Sequence, residues 1–136
     1  MFRYLAATAI TLGMGGYVLA DGSIAFAAKS EYQRCLRETE RARKECTFGG
    51  CGNILGSCYE REITVIETDS EKLTQSLQSK KCALQAIQLS TNFATLQEAN
   101  SKIDALSGSW SEFDLRVRTS LLKNHALHLL AKECGA

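Results

Sequence analysis

Cys46-Thr47-Phe48-Gly49-Gly50-Cys51-Gly52-Asn53-Ile54-Leu55-Gly56-Ser57-Cys58 packs three cysteines and four glycines into thirteen residues, between two segments whose apolar residues recur every three or four positions. Glycine punctuates a chain by relaxing its backbone, and the segment Thr47 to Ser57 therefore reads as a loop joining two antiparallel helices. Upstream, Ser30 is followed three residues later by Gln33 in a capping-box arrangement, and Tyr32, Cys35, Leu36, Thr39, Ala42 and Cys46 fall on one helical stripe. Residues 31–46 are expected to form an amphipathic helix. Downstream, Tyr59, Ile63, Ile66, Leu73, Leu77, Leu84 and Ile87 keep a three-four spacing that is interrupted at Ser70 and Lys80.

Helicity over residues 58–89 is challenged at Ile63-Thr64-Val65-Ile66, because β-branched side chains are stiff in a helix and fit a strand better. Thr68 with Glu71 could cap a new helix there, so the reading leaves two states open: one helix, or a break near Asp69. Ser90-Thr91-Asn92 marks the start of a third helix with Phe93, Leu96, Ile103 and Leu106 inward. Ser109 and Glu112 form a capping box behind Gly108. They open a last helix through Trp110, Phe113, Val117, Leu121 and Leu122 to Cys134, with Gly135 beyond its end. The predicted fold is all-α, a small disulfide-stapled bundle of about four helices.

The first 27 residues read as a cleaved leader. A basic end at Arg3, an apolar run from Tyr4 to Ala20 and the small-residue exit Ala25-Phe26-Ala27 have the layout of a secretory signal. Gly13, Gly15 and Gly16 dilute the run and Asp21 ends it short of the ~20 apolar residues a membrane span needs. No cysteine follows the run directly, so a lipid-anchored product is not expected. Residues 28–136 are then a single domain, periplasmic or secreted and without stable membrane insertion. Without Arg3 and Asp21, fifteen basic side chains face fourteen acidic ones, a balance that gives no field for nucleic acid.

Six cysteines, Cys35, Cys46, Cys51, Cys58, Cys82 and Cys134, are an even number in a short exported chain, which predicts a disulfide framework. Residues eleven apart on one helix lie roughly 16 Å apart along its axis, beyond the ~7 Å Cα limit of a bridge. Cys35 therefore cannot bond Cys46, nor Cys58 bond Cys82 if that segment is unbroken, which leaves ten of the fifteen pairings. A hairpin would set Cys46 beside Cys58 or Cys51, while Cys134 ties the last helix to another.

No Cys-x-x-Cys pair, zinc-type spacing or nucleophile turn frames a catalytic centre, and no enzyme, cofactor or metal is expected. His125 and His128, three apart, read as surface or core-edge residues, and Trp110 with Phe113 as core packing. Protein binding is the remaining class, with the acidic run Glu60, Glu62, Glu67, Asp69 and Glu71 as candidate partner contacts.

Cys58 opening a helix with Asp69 and Leu73 after it, and Trp110 with Phe113 leading to a final Cys134, resemble the LprI-type family of periplasmic lysozyme inhibitors, although Asp114 follows Phe113 where that family has an Arg. The resemblance implies inhibition of a lysozyme or other muramidase by occlusion of its cleft. The alternative is an accessory envelope protein that binds a non-enzymatic partner through an exposed apolar stripe.

Overall fold

The computed structural model describes residues 19–47 and 51–135. They form α1 (Leu19–Glu38), the short α2 (Glu40–Glu45), α3 (Cys51–Leu77), α4 (Ala83–Ser101) and α5 (Trp110–Glu133), with no strand among the described residues. The fold is thus an all-α, disulfide-stapled bundle of four long helices and one short one. Of the 27 residues expected to form a leader, residues 1–18 lie outside the described residues and residues 19–27 form the beginning of α1.

The run that threatened helicity is what packs α3 to its neighbours. Ile63 and Ile66 are buried against Ala28 of α1 and Val117 of α5, so tertiary burial overrides the modest helix preference of β-branched residues. The helix passes Asp69 unbroken and stops after Leu77, with Lys80 in the turn that follows. Of the two interruptions in the pattern, Lys80 is the real boundary. Ser90, Thr91 and Asn92 lie inside α4 and start nothing; Thr91 Oγ1 donates to the Ile87 carbonyl at 2.9 Å, the back-bonding a threonine uses in mid-helix.

The Gly-rich segment is also shorter as a loop than expected. α3 already begins at Cys51, and Gly52 and Gly56 belong to it. At Gly56 the reason is space: a Cβ there would stand 3.2 Å from Phe113 Cζ. Upstream, the helix expected over 31–46 is two pieces that meet at Thr39, and Ser30 is interior to α1 rather than its cap.

The last helix starts as its sequence predicts. Ser109 Oγ accepts from the Glu112 N–H at 3.3 Å, and Glu112 Oε2 reaches back to the Gly108 N–H at 2.7 Å. Gly108 and Gly135, at φ 72° and 68°, adopt the left-handed conformation that glycine enters at no steric cost.

Bridges and ion pairs fix the directions. Arg61 donates to Glu31 and Glu38, Cys35 bonds Cys58, and Tyr32 meets Tyr59, so α1 and α3 run antiparallel. Glu60 pairs with Arg116 and Glu67 with Lys123, 56 residues apart in both cases, which makes α3 and α5 parallel. α4 returns between them, with Gln97 bonded to Ser120 and Cys82 to Cys134. The three bridges, Cys35–Cys58, Cys46–Cys51 and Cys82–Cys134, have Cα separations of 5.4, 5.8 and 6.1 Å and leave no free cysteine. They obey the geometric exclusion of Cys35–Cys46; that of Cys58–Cys82 required an unbroken segment, whereas α3 stops at Leu77 and Cys82 precedes α4.

The core is in three parts: Ala28, Ile63, Ile66 and Val117 at the middle, Tyr32, Cys35 and Cys58 at the stapled end, and Leu77, Ala86, Leu127 and Ala131 at the far end. Of the four long helices α4 contributes least, only Ala86 being buried in it, and the short α2 buries none of its residues. Leu84 and Ile87, expected inside, are 78% and 50% exposed, and Leu96 and Ile103 are likewise exposed. The pattern misassigned Leu84 and Ile87 because it ran on as one helix where α4 in fact starts a new direction.

Candidate functional site

Aromatic side chains converge at the end of the bundle where two bridges lie. Tyr59, in the third turn of α3, is stacked on Phe113 with centroids 5.2 Å apart and on Trp110 at 6.2 Å, while Tyr32 of α1 tilts against it at 4.8 Å. Trp110 and Phe113 are a helical i,i+3 pair, 5.9 Å apart, set side by side by the capping box at Ser109. The facing surface of α3 is kept flat by Gly52 and Gly56, four residues apart. A Cβ at position 52 would lie 4.0 Å from Trp110 Cη2. Sequence reasoning missed this pairing, yet its signal was there: an aromatic i,i+3 pair at one helix start and an i,i+4 glycine pair at another.

The rings form a platform that is buried below and open above. Tyr32 is in the core, and burial with the hydrogen bond to Tyr59 pushes its phenol up to about 12, so it stays neutral. Trp110 is 49% exposed. Charge borders the rings: Lys29 Nζ stands 4.3 Å over the Tyr32 ring, and the Arg116 guanidinium lies 5.7 Å from the Phe113 ring centroid. Arg116 is also bidentate to Glu60, with Nη2 to Oε2 at 2.9 Å, which holds the guanidinium firmly protonated. An exposed tryptophan on a pinned stack, edged by arginine, has the composition of a protein-interface hot spot.

The five acidic residues singled out in the sequence do not form one free face. Glu60 is paired to Arg116 and Glu67 to Lys123. Glu62 is buried beside Lys29, its Oε1 3.9 Å from Nζ. Asp69 accepts from Asn124 Nδ2 at 2.8 Å and lies 3.1 Å from His128 Nε2. Glu71 alone of the five is both exposed and without a bonded partner among the described residues. The run is therefore largely the α3 half of a polar seam with α5 and α1. Beneath it, Asn124 Nδ2 also donates to Ser70 Oγ at 3.1 Å in full burial.

Of the two histidines, His128 joins this seam through Asp69, and His125 lies beside Arg118, Leu121 and Leu122 near Ile24 and Ala25 of α1. Among the described residues no three His, Cys, Asp or Glu side chains are grouped to hold a metal ion, and no helix is long and apolar enough to cross a membrane. The cysteines are all spent in bridges. The chain matches no protein-family model, and no curated protein or solved structure matches it at a significant level.

Proposed function

We propose that the chain is an exported, disulfide-stapled domain that binds another protein through the Trp110 platform. The observation that carries this reading is the half-exposed Trp110 ring, stacked on Tyr59 and tilted against Phe113 at the end closed by Cys35–Cys58 and Cys46–Cys51. A rigid aromatic surface loses little conformational freedom on docking, so most of its contact area counts toward affinity. Three bridges suit an oxidising compartment, in keeping with a periplasmic or secreted location.

The resemblance to periplasmic lysozyme inhibitors makes a muramidase the first partner to try. The platform would cover the enzyme's cleft as an apolar plug, and the acidic run would contribute only through Glu71, since Glu60, Glu67 and Asp69 already serve the fold. Titration of the oxidised chain from Ala28 into a panel of muramidases tests this. Inhibition that W110A weakens about 30-fold, the ~2 kcal/mol of a hot-spot residue, supports it.

One observation favours a second reading, an accessory envelope protein gripping a partner helix: Leu84 and Ile87 of α4 project into solvent three residues apart. In that case L84A with I87A abolishes binding and W110A leaves it intact.

A further inference from the structure

Helix α1 runs without interruption through the junction of Ala27 and Ala28, the bond at which the leader is expected to end. Ala28 is only 1% exposed and packs among Ile63, Ile66 and Val117. Beside it, Glu62 of α3 is 4% exposed, and its Oε2 is buried with no hydrogen-bond partner among the described residues. Among the described residues the cation paired with it is Lys29, whose Nζ stands 3.9 Å from the other oxygen on a side chain that is mostly in solvent. An orphaned carboxylate oxygen at this depth is costly, because burial removes water without returning a donor.

The register of α1 on α3 defines where a donor would have to come from. Cys35 lies opposite Cys58, Tyr32 opposite Tyr59, Glu31 opposite Arg61 and Lys29 opposite Glu62. Glu62 is thus level with the first turn of a helix that begins at Ala28. In the uncut helix the backbone N–H groups of that turn are bonded to the carbonyls of the preceding one.

We propose that removal of the leader after Ala27 supplies the missing partner, the new α-ammonium of Ala28 and the freed N–H groups of its first turn closing on the buried Glu62 carboxylate. The inference rests on the leader reading. Hydrolysis by a signal peptidase adds water across the Ala27–Ala28 amide. The carboxylate departs with Ala27, and Ala28 keeps an amine that takes up a proton at neutral pH. The first N–H groups of the shortened helix lose their acceptors in the same step, and a carboxylate at a helix start offsets that loss. The groups facing Glu62 are Lys29 and Tyr32 from α1 and Asp114 from α5. Burial is the largest influence on its carboxyl and holds it above the ordinary range; Lys29 acts against that and Asp114 with it. Processing would then convert the position from one that disfavours charge into one that requires it.

Mass spectrometry of the exported protein tests the leader reading on its own; a mature terminus other than Ala28 removes the premise and overturns the proposal. With the terminus at Ala28, thermal unfolding at pH 7 is compared for the oxidised chain with a free and with an acetylated α-amino group, each also as E62Q. The expected result is a drop of about 3 °C on acetylation when Glu62 is present and under about 1 °C in E62Q. NMR titration should place the α-amino pKa above its ordinary ~8 only when Glu62 is present. Equal acetylation effects in the two backgrounds, together with an ordinary amine pKa, would overturn the proposal even though the leader reading stood.

Discussion

Asn124 of α5 is hydrogen-bonded to Ser70 of α3 where both side chains are about 1% exposed, a polar link between two parallel helices in the interior. The same Nδ2 reaches Asp69, so one amide fixes the axial position of α5 against two successive residues of α3. Parallel helices can slide by a turn at little cost in apolar contact, whereas a buried amide finds its partners in one register only.

N124A should therefore cost about 3 kcal/mol, combining a small cavity with a buried Ser70 Oγ that loses its donor and an Asp69 carboxylate left with His128 alone. Urea denaturation monitored by far-UV circular dichroism checks this, and a loss under 1 kcal/mol would mean that the link does not hold the register.

Gly56 lies under the Phe113 ring with no room for a branched side chain. G56L should lower the melting temperature by about 8 °C or more, because Tyr59 and Trp110 pin the ring that would have to move. Near-UV circular dichroism should lose its aromatic signal in step. The same substitution at Gly52, where a Cβ would stand 4.0 Å away, should be milder.

The three bridges should rank by the loop each closes. Their sequence separations of 52, 23 and 5 for Cys82–Cys134, Cys35–Cys58 and Cys46–Cys51 imply contributions of about 4, 3 and 2 kcal/mol from chain entropy. Pairwise serine variants, measured by denaturant unfolding, give the order directly.

Arg61 forks between Glu31 and Glu38, with hydrogen bonds of 2.6 and 2.7 Å. Its hydrogen bond holds the Glu38 carboxyl below the ordinary range. A carboxyl with a depressed folded pKa stabilises above its unfolded value of about 4.3 and loses that contribution as pH falls through the folded one. R61A should accordingly destabilise at pH 7, less so in 1 M salt, and progressively less as the pH falls below about 4.3. Melting curves across that range check it.

Local signals were legible in the sequence and distant ones were not. Ser109, Glu112, Gly108 and Gly135 bound α5 because capping involves residues within one turn of each other. The impossible Cys35–Cys46 bridge was equally visible, since helical rise alone excludes it. Gly52 and Gly56 were misread as loop residues, because a glycine required for close ring packing looks the same in sequence as one required for a turn. Glu60 and Glu67 looked like a free acidic face because their partners, Arg116 and Lys123, are 56 residues away. α3 runs past Asp69 to Leu77 because Ile63 and Ile66 have a buried place to go that no local preference reveals.

Reversing the acidic run would be a poor probe of binding, since E60K or E67K breaks a link between α3 and α5. The direct measurement is inhibition of a muramidase panel by the oxidised chain and by W110A, with melting temperatures recorded alongside. Binding through the platform predicts an inhibited enzyme whose inhibition W110A weakens about 30-fold while its melting temperature stays within a few degrees of the parent. Inhibition that survives W110A unchanged, or a panel in which no enzyme is inhibited, would contradict it.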